Sequence, residues 1–258
     1  MTCWLMWINS AGWMSPALSL SGLTGCVSAS PVEVPAGIDH APYERLLQKY
    51  VNDRGLVDYK AWKASAEALQ ALHEYTAKFA SGGPFATGTE KAASLINAYN
   101  ALTLQWILDS YPVKSIKDTS NPWGAKRHPV GGRVISLDEI EQDTLRPQVG
   151  FRTHAVLVCA ARSCPPLWNH AYSADKLDEQ LDDRMRAWLA RNDLNHFVPA
   201  EKRVELSKIL SWYGKDFEKA EGGLRAVLAK YAPAQYADFL KSDYRLGYAS
   251  YNWSLNEQ

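Results

Sequence analysis

Apolar positions recur at helical spacing from Tyr43 to Tyr50, with Leu46, Leu47 and Tyr50 on one side. Asp53-Arg54-Gly55 stops that helix, and Leu56 to Tyr59 reads as a short extended piece. A second amphipathic helix is predicted from about Lys60 to Phe79, closed by Ser81-Gly82-Gly83-Pro84. The next runs from Glu90 to Ser110 and stops at Tyr111-Pro112. It is apolar nearly all round, the pattern of a buried helix. Yet Asn97, Asn100 and Thr103 follow one another at i, i+3 steps and share a face. A polar stripe on a buried helix must find hydrogen-bond partners or line a wet cavity.

Beyond a loop at 121–129, Val130 to Ser136 reads as a hairpin turning at Gly131-Gly132. Leu137 to Glu141 opens a short helix that should end near Pro147. Thr153 to Ala161 is the most apolar stretch, and its unbroken Ala155-Val156-Leu157-Val158 run predicts a strand buried on both faces. Ser173 should cap a long helix over 174–191, acidic early and basic late. Phe197 to Glu205 suggests two short strands around Ala200-Glu201-Lys202. Ser207–Phe217 and Gly222–Tyr231 read as helices, and Tyr248–Leu255 as an aromatic strand. Without repeats or an interior linker, these elements predict one domain over 41–258. Its class is α+β: helix-rich, with the central buried helix packed on a small, mostly antiparallel sheet.

The 258 residues are 47% apolar and 22% charged, which suffices for a real core. The 28 basic and 28 acidic side chains cancel, and no basic stripe exists to bind nucleic acid. Ten Trp and thirteen Tyr are many for this length. They fill cores, and they also line clefts for sugars and peptides. The first 25 residues are apolar, lack Lys and Arg, and are broken by Pro16. They read as an export signal rather than a spanning helix. Leu23-Thr24-Gly25-Cys26 resembles a bacterial lipobox, which implies lipidation at Cys26 and anchoring on the periplasmic side of a bacterial envelope. Residues 26–40 read as a flexible tether.

Cys159 and Cys164 remain for the domain, and neither their spacing nor the six scattered histidines makes a metal site. No Gly-rich phosphate loop is present, and no cofactor is expected. Cys164, in Ser163-Cys164-Pro165-Pro166 just after the predicted strand, is the sharpest candidate nucleophile. His154 is the first candidate base, with His170 and His128 as alternatives, since strand geometry sets His154 and Cys164 at opposite ends. Asn97 or Asn100 could orient that histidine or donate to an oxyanion. Against this stand a core role for Cys159 and a Cys159–Cys164 disulfide in an oxidising compartment. Asp138, Glu139 and Glu141 form an acidic cluster that could do acid–base work, but reads more simply as a solvated first helical turn.

Several segments together resemble the DUF547 family, a domain of undefined function found in bacteria and plants. They are Gly55–Tyr59, Leu95–Leu102, Leu137–Glu141 with Leu145-Arg146, and His154 through Pro166. Leu206–Lys208, Trp212-Tyr213, Asp216-Phe217 and Tyr251–Asn256 complete the set, which spans about 43–256. The chain departs from the family pattern at Ser94-Leu95, where Phe-Trp is usual, and at Asn252, where Asp is frequent. The resemblance implies that Asn97, Tyr99, Asn100, His154, Cys159, Ser163 and Cys164 form the family's signature. By analogy of architecture it suggests a papain-like or transglutaminase-like arrangement. The expectation is therefore a thiol-dependent hydrolase or acyl-transfer enzyme of the envelope acting on a peptide or small amide. Cys164, His154, Asn97 and Asn100 would carry the chemistry, and Tyr99, Ser163, Trp212 and Trp253 would contact substrate. The competing expectation is a non-catalytic binding or scaffold domain whose cysteines are structural.

Overall fold

The computed structural model describes residues 30–258. The expected signal segment, its lipobox, the lipidation residue Cys26 and the start of the tether lie outside the described residues. The rest of that tether, from Val32 onward, is a correction: it is built into the fold. Val32 and Val34 are fully buried. The Val32 N–H donates to Thr144 Oγ1 at 2.7 Å, and Pro35 bridges Phe85 in antiparallel fashion. The reason is local: the two valines alternate with Glu33, so one side of an extended segment is apolar.

Helix α1 (Ala41–Tyr50) buries Tyr43, Leu46, Leu47 and Tyr50. The single helix expected next is two, α2 (Tyr59–Ala64) and α3 (Ala66–Ala77). Ser65 divides them because its side chain accepts the Ala68 N–H and caps α3 from an extended backbone. Helix α4 (Gly88–Ser110) is the centre, buried almost continuously from Ala92 to Leu104. Its main neighbours are helical, chiefly α2, α3 and the turns after Ser136. The expectation that it packs on a sheet is thus corrected.

The hairpin forms as expected, with strands β1 (His128–Val130) and β2 (Arg133–Ile135) joined by Gly131 and Gly132, both at positive φ. A Cβ on Gly131 would lie 2.3 Å from the Glu33 carbonyl oxygen, so that glycine lets the hairpin close on the N-terminal segment. Ser136 and Glu139 form a capping box that starts α5 (Leu137–Ile140). A π-helical segment, Glu141–Leu145, follows and passes into α6 (Arg146–Val149), which runs through Pro147 rather than ending there.

The predicted strand over Thr153–Ala161 is not one. Residues Gly150–Ala155 make a 3-10 turn. The apolar run after it leaves that turn as irregular backbone and pairs with a side chain instead of a strand. Asn100 Nδ2 donates to the Val156 carbonyl at 2.8 Å, and the Val158 N–H donates to Asn100 Oδ1 at 3.0 Å. A primary amide presents a donor and an acceptor as a peptide does, so it satisfies a buried backbone just as a neighbouring strand would.

Helix α7 (Leu177–Leu189) begins later than expected and has no side-chain cap at Lys176; the Ser173 N–H instead donates to Gln180 Oε1. Strand β3 (His196–Val198) pairs antiparallel with β4 (Arg203–Leu206). Then come α8 (Lys208–Trp212), α9 (Gly214–Glu218), α10 (Gly223–Tyr231) and α11 (Ala237–Leu240). Strand β5 (Arg245–Tyr248) joins β4 in parallel. The expected strand over Tyr248–Leu255 is mostly irregular, tied back to the Cys164 loop. The Arg162 and Ser163 N–H groups donate to the Ser254 and Asn252 carbonyls, and Ala161 bridges Leu255. The α+β, helix-rich class expected from sequence is the one observed, with one small antiparallel sheet and one mixed. Among the described residues, no helix is long and apolar enough to cross a membrane.

Candidate active site

The chemistry-bearing residues converge on a cleft of about 410 Å³. Tyr99 comes from α4, Asp138 and Glu141 from α5 and the π segment, and His154, Cys159 and Cys164 from the irregular run. Trp212 and Tyr213 come from the end of α8, and Tyr251 and Trp253 from the C-terminal segment. Glu141 is the first residue of the π segment, a local widening of the helix that is frequent at functional sites, and it is buried. The acidic cluster is therefore not a solvated turn as a whole: Glu141 is only 8% exposed. Tyr99 Oη donates to Glu141 Oε2 at 3.4 Å. Burial raises the Glu141 carboxyl above the usual range, and hydrogen bonding from Tyr213 and the charge of Arg146 offset this only in part. Asp138 is raised too, by burial and by the charge of Asp143.

His154 is the only histidine on the cleft wall. Its Nε2 lies 2.9 Å from Asp216 Oδ2, and its ring stacks on Tyr213 with centroids 4.0 Å apart. Arg146 Nε donates to the same Asp216 oxygen at 2.7 Å. Burial tends to raise the Asp216 carboxyl, but the bonds from His154 and Arg146 outweigh it and hold it below its ordinary value. An ionised carboxylate can only accept, so Nε2 carries the proton and Nδ1 keeps a lone pair. Nδ1 has no hydrogen-bond partner among the described residues. Burial pushes the His154 pKa down to about 4; Asp216 works against that shift and Arg146 with it. The ring is therefore neutral at pH 7, a base with a free nitrogen and a carboxylate fixing the other.

The two cysteines are joined. Cys159 and Cys164 form a disulfide with Cα atoms 6.4 Å apart. Cys164 is 4% exposed, Cys159 somewhat more. The Cys159 N–H donates to Cys164 Sγ at 3.1 Å, and Tyr251 Oη lies 3.1 Å from each sulfur. Cys164 is thus not a free thiol in this state, and the disulfide weighed from sequence is the one present.

The remaining candidates divide. Trp212, Trp253 and Tyr99 line the cleft. Asn97 and Asn100 do not: Asn97 exchanges two hydrogen bonds with the Tyr172 backbone, as Asn100 does with Val156 and Val158. Neither amide orients His154, so that expectation is corrected: Asp216 holds the ring. The stripe completes itself when Thr103 donates to the Tyr99 carbonyl. Ser163 Oγ accepts the Asn252 N–H and pins the C-terminal segment instead of lining the cleft. His170 bonds Glu44 at 2.6 Å in a separate hollow, and His128 is buried in β1, so neither alternative base lines this cleft. Sequence reasoning quoted Asp216, Arg146, Tyr213 and Tyr251 as family segments without giving them roles. Asp216 lies 62 residues from His154, and no local pattern announces that pairing. Trp123 was missed outright. No group of three or more metal-ligating side chains stands together among the described residues.

Residues 85–189 match a family model described as "Protein of unknown function, DUF547". No curated protein and no solved structure matches the chain. The matched segment supplies Tyr99, Asp138, Glu141, His154, Cys159 and Cys164, while Asp216 and most of the aromatic wall follow it. With the signature residues of α4 and of the cysteine segment inside that match, it is residues 85–189 that are similar to the DUF547 family.

Proposed function

We propose that the protein is a thiol-dependent hydrolase or acyl-transfer enzyme that is latent while the Cys159–Cys164 bond is closed. One observation carries the reading: a cleft that holds both sulfurs has a single histidine, neutral, with one nitrogen free and the other fixed by Asp216. That is the division of labour of a nucleophile, a base and an orienting acid. A dithiol reductant opens the disulfide, two electrons and two protons converting it to two thiols. His154 Nδ1 then takes the Cys164 proton as sulfur attacks the substrate carbonyl. Asp216 stabilises the imidazolium that forms. The proton passes to the leaving amine or alcohol, and water or a second amine cleaves the thioester. The Cys159 N–H and the Tyr251 hydroxyl stabilise charge on Cys164 sulfur. A peptide or small amide is the substrate class, and anchoring through a lipidated Cys26 in a bacterial envelope belongs to the same reading.

The test is intact-mass analysis of the chain incubated with an activated ester such as p-nitrophenyl acetate. Reduced protein should gain one acyl group at Cys164, and oxidised protein or the Cys164→Ser variant none there. A reduced protein that folds, as judged by circular dichroism, yet never acylates at Cys164 contradicts the proposal. That outcome favours a binding or scaffold domain, a reading supported by the low exposure of Cys164 and the structural use of both asparagines.

A further inference from the structure

The cleft wall is aromatic and acidic, and among the residues that line it there is no Lys or Arg. Trp212, Tyr251 and Trp253 pack on one another with centroids 4.5–5.8 Å apart, and Trp123 meets Trp253 edge-on at 5.9 Å. Trp212 is 48% exposed, an unusual display for so large an apolar ring. Across from hydrocarbon and ring faces stand two carboxylates. Glu141 is held by Tyr99, whereas the Asp138 side chain has no hydrogen bond or ion pair among the described residues. Beside them on the wall is the 95% buried His154, whose Nδ1 lacks a partner among the described residues. Two rings of the wall already carry a cation over one face, Lys117 over Trp253 at 4.7 Å and Arg146 over Tyr213 at 5.1 Å. Neither cation is a lining group.

We infer that this cleft binds an organic ammonium group, its charge set against Asp138 and its alkyl substituents against the tryptophan faces. Ring faces are the negative end of the aromatic quadrupole and attract cations, more strongly where water is thinned. A neutral sugar would stack on the same rings but would leave the carboxylate uncompensated. The volume suits a small ligand or the end of a larger one. The raised Asp138 carboxyl fits the same picture, since it is desolvated and faces Asp143 without the counter-charge that a bound ammonium brings. Combined with the proposed thiol chemistry, and resting on it only for this step, the substrate class becomes an amide or ester with a cationic amine near the carbonyl.

Binding can be read without catalysis, on the disulfide-intact chain, from tryptophan fluorescence. The probes are choline and its uncharged isostere 3,3-dimethyl-1-butanol, with methyl glucoside as the neutral sugar. Choline should bind about tenfold or more tightly than its isostere, and more weakly as salt rises. Asp138→Asn should weaken choline by several-fold and leave the isostere unchanged, with an unaltered thermal melt confirming the fold. Trp253→Leu should weaken both. Equal affinities, no binding of choline at tens of millimolar, or tighter binding of the sugar would each overturn the inference. Ammonium binding in a protein that never acylates would defeat the thiol reading and leave this one standing.

Discussion

Asn100 shows how one side chain can take the place of a strand. Its amide closes two hydrogen bonds on a backbone buried on every side. Asn100→Leu would keep most of the volume and strand the Val156 carbonyl and the Val158 N–H without water. Each unsatisfied buried group costs about 1–3 kcal/mol, so a loss of about 2–5 kcal/mol in urea unfolding is expected. A change below about 0.5 kcal/mol would mean that the two backbone groups find other partners. Asn97 stands in the same relation to Tyr172. The i, i+3 stripe was therefore legible as a set of residues needing partners. Which partners they took was not, because a buried amide can serve a substrate or a backbone equally well. Asp216 was less legible still. A single acid in a surface-patterned helix gives no sign that a histidine 62 residues away will meet it.

At the scale of elements, local chemistry was readable where the backbone has few choices. Gly131-Gly132 at positive φ makes the hairpin turn, and Ser136 with Glu139 opens the helix that carries Asp138. The Ala155–Val158 run is not the strand its pattern predicts because continuous burial says that a segment is inside, not which backbone conformation it takes or what pairs with it. The cysteine loop is also held from outside by Gly55. That residue has φ +75°, and a Cβ there would lie 2.6 Å from the Leu167 nitrogen and 2.8 Å from the Pro166 Cα. Both are backbone atoms that cannot swing away. Gly55→Ala should therefore destabilise the chain by about 1–3 kcal/mol. It should also raise the rate at which reductant opens the Cys159–Cys164 bond, as the loop is displaced. An unchanged melting temperature together with an unchanged reduction rate would show that the loop does not rest on this glycine.

Taken whole, the molecule buries several ionisable groups in their neutral form, and this fixes the sign of its pH response. Burial lowers the pKa of both His128 and His154 from 6.5 to about 4. A histidine depressed on folding contributes stability that is full above its unfolded pKa and is lost as pH falls towards the folded value. Stability should thus decline between about pH 6.5 and 4, by on the order of 3 kcal/mol for each of the two. Asp138 and Glu141 oppose the trend, because a carboxyl raised on folding favours the acid side. Asp216 is depressed and adds its loss only below the ordinary carboxylate range. Thermal melts from pH 7 to 4 should fall steeply, and His128→Gln should flatten the fall. A melting temperature that stays level would show that these rings are hydrated in solution.

The same burial makes the central claim measurable. If His154, fixed by Asp216, removes the Cys164 proton, the reduced chain must react with iodoacetamide where ordinary thiols do not. At pH 6 a thiol of pKa about 8.5 is well under 1% thiolate. Site-resolved mass spectrometry of the reduced protein at that pH should find Cys164 alkylated at least tenfold faster than in His154→Gln, with Asp216→Asn between the two. Equal rates at Cys164 in all three proteins, matching a free thiol, would contradict the account.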